Sequence, residues 1–189
     1  MTEKFIPPHG GYQSLLSFQR AEVVYDATVK FCADLLDRRD RTVDQMVQAA
    51  RSGKQNIAEG SMASGTSKET EIKLTNVARA SLEELLIDYR DFLRTRSLAE
   101  WPKDHRYVRR MRELNRTPNA TYETFRKAVE NPDREIRANA IIGLIKVTNY
   151  LLDQQLRRLE KDFVEKGGLR ENMTRARLEH REQQRRRQL

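Results

Sequence analysis

One cysteine (Cys32), one tryptophan (Trp101) and three histidines are all that this 189-residue chain holds of those residue types. A single thiol rules out an internal disulfide and any zinc site built from several cysteines. His9, His105 and His180 lie in three separate segments, none with another histidine or a cysteine at ligand spacing, so no metal site is expected. The five prolines and eight glycines fall mostly outside the periodic segments, as an all-helical chain requires. No stretch reaches the roughly 18 consecutive apolar residues of a membrane span, and Met1–Pro8 carries no apolar run of signal-peptide length. The expectation is a cytoplasmic protein without a membrane partner. No phosphate-binding glycine loop is present either: Glu59-Gly60-Ser61-Met62-Ala63-Ser64-Gly65 lacks the lysine and follows a helical pattern instead of a strand.

What the chain does have is charge. Charged residues make up 34% and hydrophobic ones 38%, a balance that suits long amphipathic helices with one apolar stripe each. The net charge of +8 is unevenly placed: residues 94–116 hold eight bases against three acids, and residues 170–189 hold seven arginines against three acids. Everything outside these two segments is close to neutral.

Apolar residues stepping by three and four mark four helices. The first runs from Ser14 to Arg38 with the stripe Ala21, Val24, Tyr25, Thr28, Phe31, Cys32, Leu35. The second starts at Thr42 as N-cap, carries Val43, Met46, Val47, Ala50, Gly53 and Ile57, and stops at Gly60. Gly53 in mid-helix costs about 1 kcal/mol against alanine, which points to close approach of another backbone. The third follows Ser67 and runs to Arg96, with two stripes, Leu74-Ala78-Ser81-Leu85-Phe92 and Leu82-Leu86-Tyr89-Leu93, so it is central or shared with a second subunit. The fourth follows Asn131-Pro132-Asp133, buries Ile141, Leu144, Ile145, Thr148, Leu152, Gln155, Leu159 and Phe163, and ends at Gly167-Gly168. Ile136, Ile142, Val147 and Leu151 fall off that stripe. The expected architecture is all-α: an N-terminal arm over 1–13, an up-down antiparallel four-helix bundle over 14–166 with an inserted segment at about 97–133 before helix four, and a basic C-terminal tail over 167–189 that is helical when bound.

Three segments carry a family resemblance. Gln45-Met46 through Asn56-Ile57-Ala58-Glu59-Gly60, then Ser67-Lys68-Glu69, then Ala78-Arg79-Ala80-Ser81-Leu82-Glu83-Glu84-Leu85 resemble the four-helix-bundle family of proteins encoded in intervening sequences of bacterial 23S rRNA genes. Accessory variability proteins of diversity-generating retroelements resemble the same family. Asp40-Arg41-Thr42, the segment from Met46 to Gln55 and Ile87-Asp88-Tyr89-Arg90-Asp91-Phe92-Leu93-Arg94 are most similar to its branch of four-helix-bundle suffix-domain proteins. The resemblance implies homo-oligomers, pentameric rings in particular. In the retroelement branch it also implies a basic surface that engages nucleic acid and a reverse transcriptase.

The polar residues of the paired motif are read as structural. Glu59 and Arg79 are expected to form a partly buried ion pair between helices two and three, with Asn56 and Ser81 in the same network. A catalytic acid with an anchoring arginine is the competing reading, but neither a histidine nor a second motif carboxylate completes a reacting group. Asp88 and Asp91 read as a solvated face, and Cys32 as a core thiol. The function signal lies in the basic segments. Arg106, Arg109, Arg110 and Arg112, with Tyr107 and Trp101 beside them, combine phosphate contacts with a stacking surface. Arg175, Arg177, Arg181, Arg185, Arg186 and Arg187 add a second set. The competing reading of the insertion is a basic helix paired with Glu83, Glu84 and Glu123. No helix-turn-helix reading head is visible, so RNA or single strands are expected over sequence-read duplex. The expected function is a non-catalytic homo-oligomeric nucleic-acid-binding accessory or scaffold protein that needs no cofactor. Two alternatives are a protein–protein adaptor, for example to a reverse transcriptase, docking through Leu82, Leu86, Ile142 and Val147, and an enzyme using Glu59 and Asp88 in a cavity.

Overall fold

The computed structural model describes residues 10–117 and 119–187; most of the N-terminal arm, His9 included, lies outside the described residues. Among the described residues all regular structure is helical: α1 (Leu16–Leu35), α2 (Arg41–Ala63), α3 (Lys68–Thr95), α4 (Arg106–Asn115), α5 (Tyr122–Val129), α6 (Arg134–Lys166) and α7 (Leu169–Arg187). A 3-10 turn at Tyr12–Ser14 precedes them. The four helices expected from periodicity are α1, α2, α3 and α6. Residues 97–133 hold two further helices instead of one, and the tail is helical over α7 in the chain alone.

Helix starts follow side-chain chemistry. Ser67 caps α3 by accepting from the Thr70 amide at 3.1 Å, and Asp133 caps α6 by accepting from the Glu135 amide at 2.8 Å. At α2 the cap is Asp40, not Thr42: the Asp40 carboxylate accepts from the Thr42 amide at 2.9 Å, and that bond holds its pKa below the usual value. Each such cap is worth about 1 kcal/mol. α3 ends with Ser97 at φ 53, where the Leu98 amide donates back to Leu93 and the Ser97 amide to Arg94. This paired return to the last carbonyls is usually closed by glycine. α6 does end at a glycine, Gly167 at φ 71.

Gly60 does not end α2, which continues to Ala63. It is buried against α3: a Cβ there would meet the Glu71 carbonyl oxygen at 3.3 Å and the Leu74 Cβ at 3.4 Å. Gly53 serves the same contact, although a side chain and not a backbone fills the space. Its hypothetical Cβ would lie 2.7 Å from both Cγ and Cδ2 of the fully buried Leu82.

α1 packs on α2 and α6, and α3 packs on the same two helices. Phe31 of α1 meets Tyr89 and Phe92 of α3 edge-on, with centroids 4.9 and 4.8 Å apart. Cys32 is buried beside them; burial first, then the Asp88 and Asp40 charges, push its thiol up to about 12. Both stripes of α3 are used within the chain. Leu82, Leu86, Tyr89 and Leu93 are all buried, as is Ile142 of α6, while Val147 is half-buried. An adaptor docking through Leu82, Leu86 and Ile142 is therefore corrected: those side chains have no surface to offer.

α4 and α5 pack on α6, and α5 also on α1. Two buried arginines tie α1 to its neighbours, one near each end of the helix. Arg20 of α1 is 1% exposed and donates to the carbonyls of Ala120 at 2.8 Å and Asn115 at 3.1 Å, with its guanidinium 5.6 Å from the Phe125 ring centroid. Arg137 of α6 is buried and reaches Asp34 of α1 at 2.7 Å.

Candidate nucleic-acid interface

The sequence of α4 alternates arginines with apolar residues so that one side enters the protein and the other is cationic. Met111 is buried, and Val108, Leu114 and Asn115 are half-buried. Arg106, Arg109, Arg110, Arg112 and Arg116 are exposed. Arg110 bonds Glu113 at 2.9 Å within the same helix. Among the described residues Arg106, Arg109 and Arg112 pair with no carboxylate. Of the acids expected to neutralise them, Glu83 accepts from Asn149 and Glu123 from Arg126, while Glu84 pairs with no arginine of α4 among the described residues.

Aromatic rings gather at the start of the helix. Trp101 stacks on His105, centroids 4.2 Å apart with 29° between planes, and lies 5.3 Å from Tyr107 at 28°. Tyr107 is 38% exposed, and the Arg106 guanidinium sits 4.7 Å over its ring. The stack is fastened from below. The Trp101 indole donates to Glu135 at 2.8 Å, and Asn139 accepts from the Trp101 amide while donating to the carbonyls of Ala99 and Glu135. Glu100, one residue earlier, bridges Lys146 of α6 at 2.6 Å and Arg90 of α3 at 3.1 Å. Partial burial pushes the Glu100 carboxyl up, but those two hydrogen bonds outweigh it and hold the pKa below the usual range. His105 is thus an aromatic member of this cluster. The histidine was legible only as a missing metal ligand, and its place two residues before Tyr107 was the available signal.

A cavity of about 490 Å³ lies between α4, α5 and α6. Trp101, Tyr107, Met111 and Phe125 form its walls, and Arg110, Lys127 and Glu123 stand among its polar lining. Glu59 and Asp88, the pair considered for an enzyme, do not line it. Asp88 is half-buried on α3, its carboxyl raised by burial and then by the Glu84 and Asp91 charges. No group of three histidine, cysteine or acidic side chains placed to hold a metal ion occurs among the described residues. Among the described residues no helix is long and apolar enough to cross a membrane.

The tail arginines are not brought to α4. Arg175, Arg177, Arg181, Arg185, Arg186 and Arg187 stand exposed on α7, a helix in which no residue is buried. Arg177, Arg181 and Arg185 recur every four residues and so share one side of it.

The expected polar network is half present. The Asn56 amide donates to the Ser52 carbonyl at 2.8 Å and contacts its hydroxyl, and the Ser52 and Ser81 hydroxyls are 3.0 Å apart, joining α2 to α3. Glu59 and Arg79 are outside it. Both are exposed, and Arg79 approaches Asp153 of α6 at 3.6 Å and Asn76 at 3.2 Å. The buried Glu59–Arg79 pair is corrected: Glu59 lies two residues beyond Ile57, about 200° around the helix from the buried stripe. The buried arginines are instead Arg20 and Arg137. Arg20 falls at stripe spacing between Ser17 and Val24, a signal available from the sequence.

Comparison of the chain with protein-family models, with curated proteins and with solved structures gives no match.

Proposed function

We propose that this protein is a non-catalytic nucleic-acid-binding accessory or scaffold protein that takes RNA or single strands through α4 and α7. The observation that carries the reading is α4 itself. Arg106, Arg109 and Arg112 present guanidinium groups with no carboxylate partner among the described residues, next to the stacked rings of Trp101, His105 and Tyr107. Phosphate neutralisation with aromatic stacking is the combination by which single strands are bound without sequence readout. The α7 arginines would add affinity as a second arm.

In this reading the scaffold is an up-down antiparallel four-helix bundle. Support comes from contacts that pair early residues of one helix with late residues of the next. Ser17 of α1 donates to Gln155 of α6, while Asp34 near the end of α1 meets Arg137 near the start of α6. Arg79 and Glu83 of α3 meet Asp153 and Asn149 of α6 in reverse order. Homo-oligomerisation, with a pentameric ring as the form implied by the family resemblance and a reverse transcriptase as a protein partner, belongs to the same proposal. Val77, Ala80 and Ile87 are exposed at helical spacing on α3 and supply apolar surface for it. Several basic arms on one assembly act at high effective concentration on a polymer.

The test is fluorescence anisotropy of the purified protein with labelled structured RNA, single-stranded DNA and duplex DNA across salt. Salt-dependent binding that favours RNA or single-stranded DNA over duplex is the expected result. Absence of binding at about 50 mM salt, where even non-specific phosphate contacts register, would retire the proposal.

A further inference from the structure

The cavity beside α4 has a size and a lining that the phosphate contacts do not use. Its volume of about 490 Å³ falls in the range of roughly 300–1,000 Å³ typical of small-ligand sites. One wall is aromatic: Trp101 and Tyr107 both line it, stacked on one another with centroids 5.3 Å apart and planes inclined by 28°. The floor is deepened by Gly143 of α6, where a Cβ would meet nothing closer than the Met111 Cβ at 3.9 Å.

The mouth is cationic. Lys127 forms no ion pair among the described residues, and Arg110 is held only by an exposed bond to Glu113, a type of pair that contributes little and exchanges readily. The one acid at the rim, Glu123, is already bonded by Arg126 through both carboxylate oxygens at 3.0 Å. Polar side chains able to read an edge are scarce. Asn139 is satisfied by Trp101, Ala99 and Glu135, the Thr124 hydroxyl accepts from the Thr121 amide, and Asn131, whose oxygen accepts from the Asp133 amide, keeps only its NH2 to offer.

We infer that this cavity receives one unstacked nucleobase of a single strand, stacked against Tyr107 and Trp101, while Arg110 and Lys127 hold the flanking phosphates. The inference rests on the nucleic-acid reading above and names what that reading leaves open: how single strands are preferred. A paired base cannot enter without leaving its stack, and that cost is least for a strand already single. With so few free polar groups the pocket discriminates weakly among bases, since every base has a stacking face.

The experiment compares anisotropy titrations of two labelled oligonucleotides of equal length, one with bases and one fully abasic. The wild-type chain is expected to bind the base-bearing strand about tenfold tighter or more. Gly143→Leu fills the floor, and replacing a mid-helix glycine favours the helix; Tyr107→Leu removes a stacking face at the surface. Both are expected to bring the ratio close to one, and Gly143→Leu, which touches none of the exposed arginines, to do so while the abasic affinity holds. Equal wild-type affinity for the two strands overturns the inference and leaves phosphate binding standing, as does a full preference retained in Tyr107→Leu. Wild-type protein that binds neither strand ends both readings together.

Discussion

Arg20→Met removes the bond between the insertion and α1 without opening a large hole, because methionine fills much of the arginine stem's space. Two hydrogen bonds from a charged donor are lost, to Ala120 at 2.8 Å and to Asn115 at 3.1 Å, each worth about 1.5–3 kcal/mol. Two carbonyls lose their donors, while the unfavourable burial that lowers the Arg20 pKa is relieved. The net cost comes to about 2–4 kcal/mol. Both acceptors lie between 115 and 120, where α4 ends and α5 has yet to begin, so the loss should be local. Native-state hydrogen exchange is the assay: amides of 106–129 should exchange roughly 30- to 1,000-fold faster, since about 1.4 kcal/mol is tenfold, while α2 and α3 stay protected. Unchanged exchange over 106–129 would refute the reasoning. So would a loss spread evenly over the whole chain, because Arg20 would then be an ordinary core residue and not a latch on the insertion.

Gly53→Ala should lower the urea midpoint despite improving helix propensity by about 1 kcal/mol, because the new methyl lands 2.7 Å from Leu82 Cγ and overpacking costs about 1–3 kcal/mol; a raised midpoint would contradict the close packing of α2 on α3. Asp34→Asn should cost about 2–3 kcal/mol at pH 7, less than a fully buried pair, since Asp34 remains 32% exposed while Arg137 stays buried. Hydrogen bonds from Lys30 and then Arg137 depress the Asp34 pKa, so its contribution is complete above about pH 4 and fades as pH falls through the folded value. Chemical denaturation from pH 7 to 2.5 should show the wild type and variant converging at the acid end; a gap that widens there would reverse the sign of the argument.

Much of the helical frame was legible because its signals are local. Ser67 before Glu69 and Glu71 and Asn131-Pro132-Asp133 before α6 mark helix starts, where Ser67 and Asp133 prove to be the caps, and Gly167 marks the end of α6. Thr42 reads as the cap of α2, and the geometry of the first turn gives that place to Asp40. Gly60 was read as a terminator because glycine marks helix ends and close contacts alike; its role depends on where Glu71 and Leu74 of α3 come to lie. α5 was overlooked although Tyr122, Phe125 and Val129 step by three and four, since an eight-residue helix holds little periodicity of its own. The basic side of α4 was visible as a run of arginines. So was a stacking surface of Trp101 and Tyr107, though not the place of His105 in it; the cavity was not visible, because it requires α4, α5 and α6 to converge from segments far apart in the chain.

The central claim is that α4 presents phosphate-binding arginines. Its most direct test is the salt dependence of single-strand binding for the wild type and for a variant with Arg106, Arg109 and Arg112 all changed to glutamine. The account predicts weaker binding and a log–log slope flattened by about two to three counterions. A variant with the wild-type slope and affinity would contradict it and shift the contact to the arginines of α7.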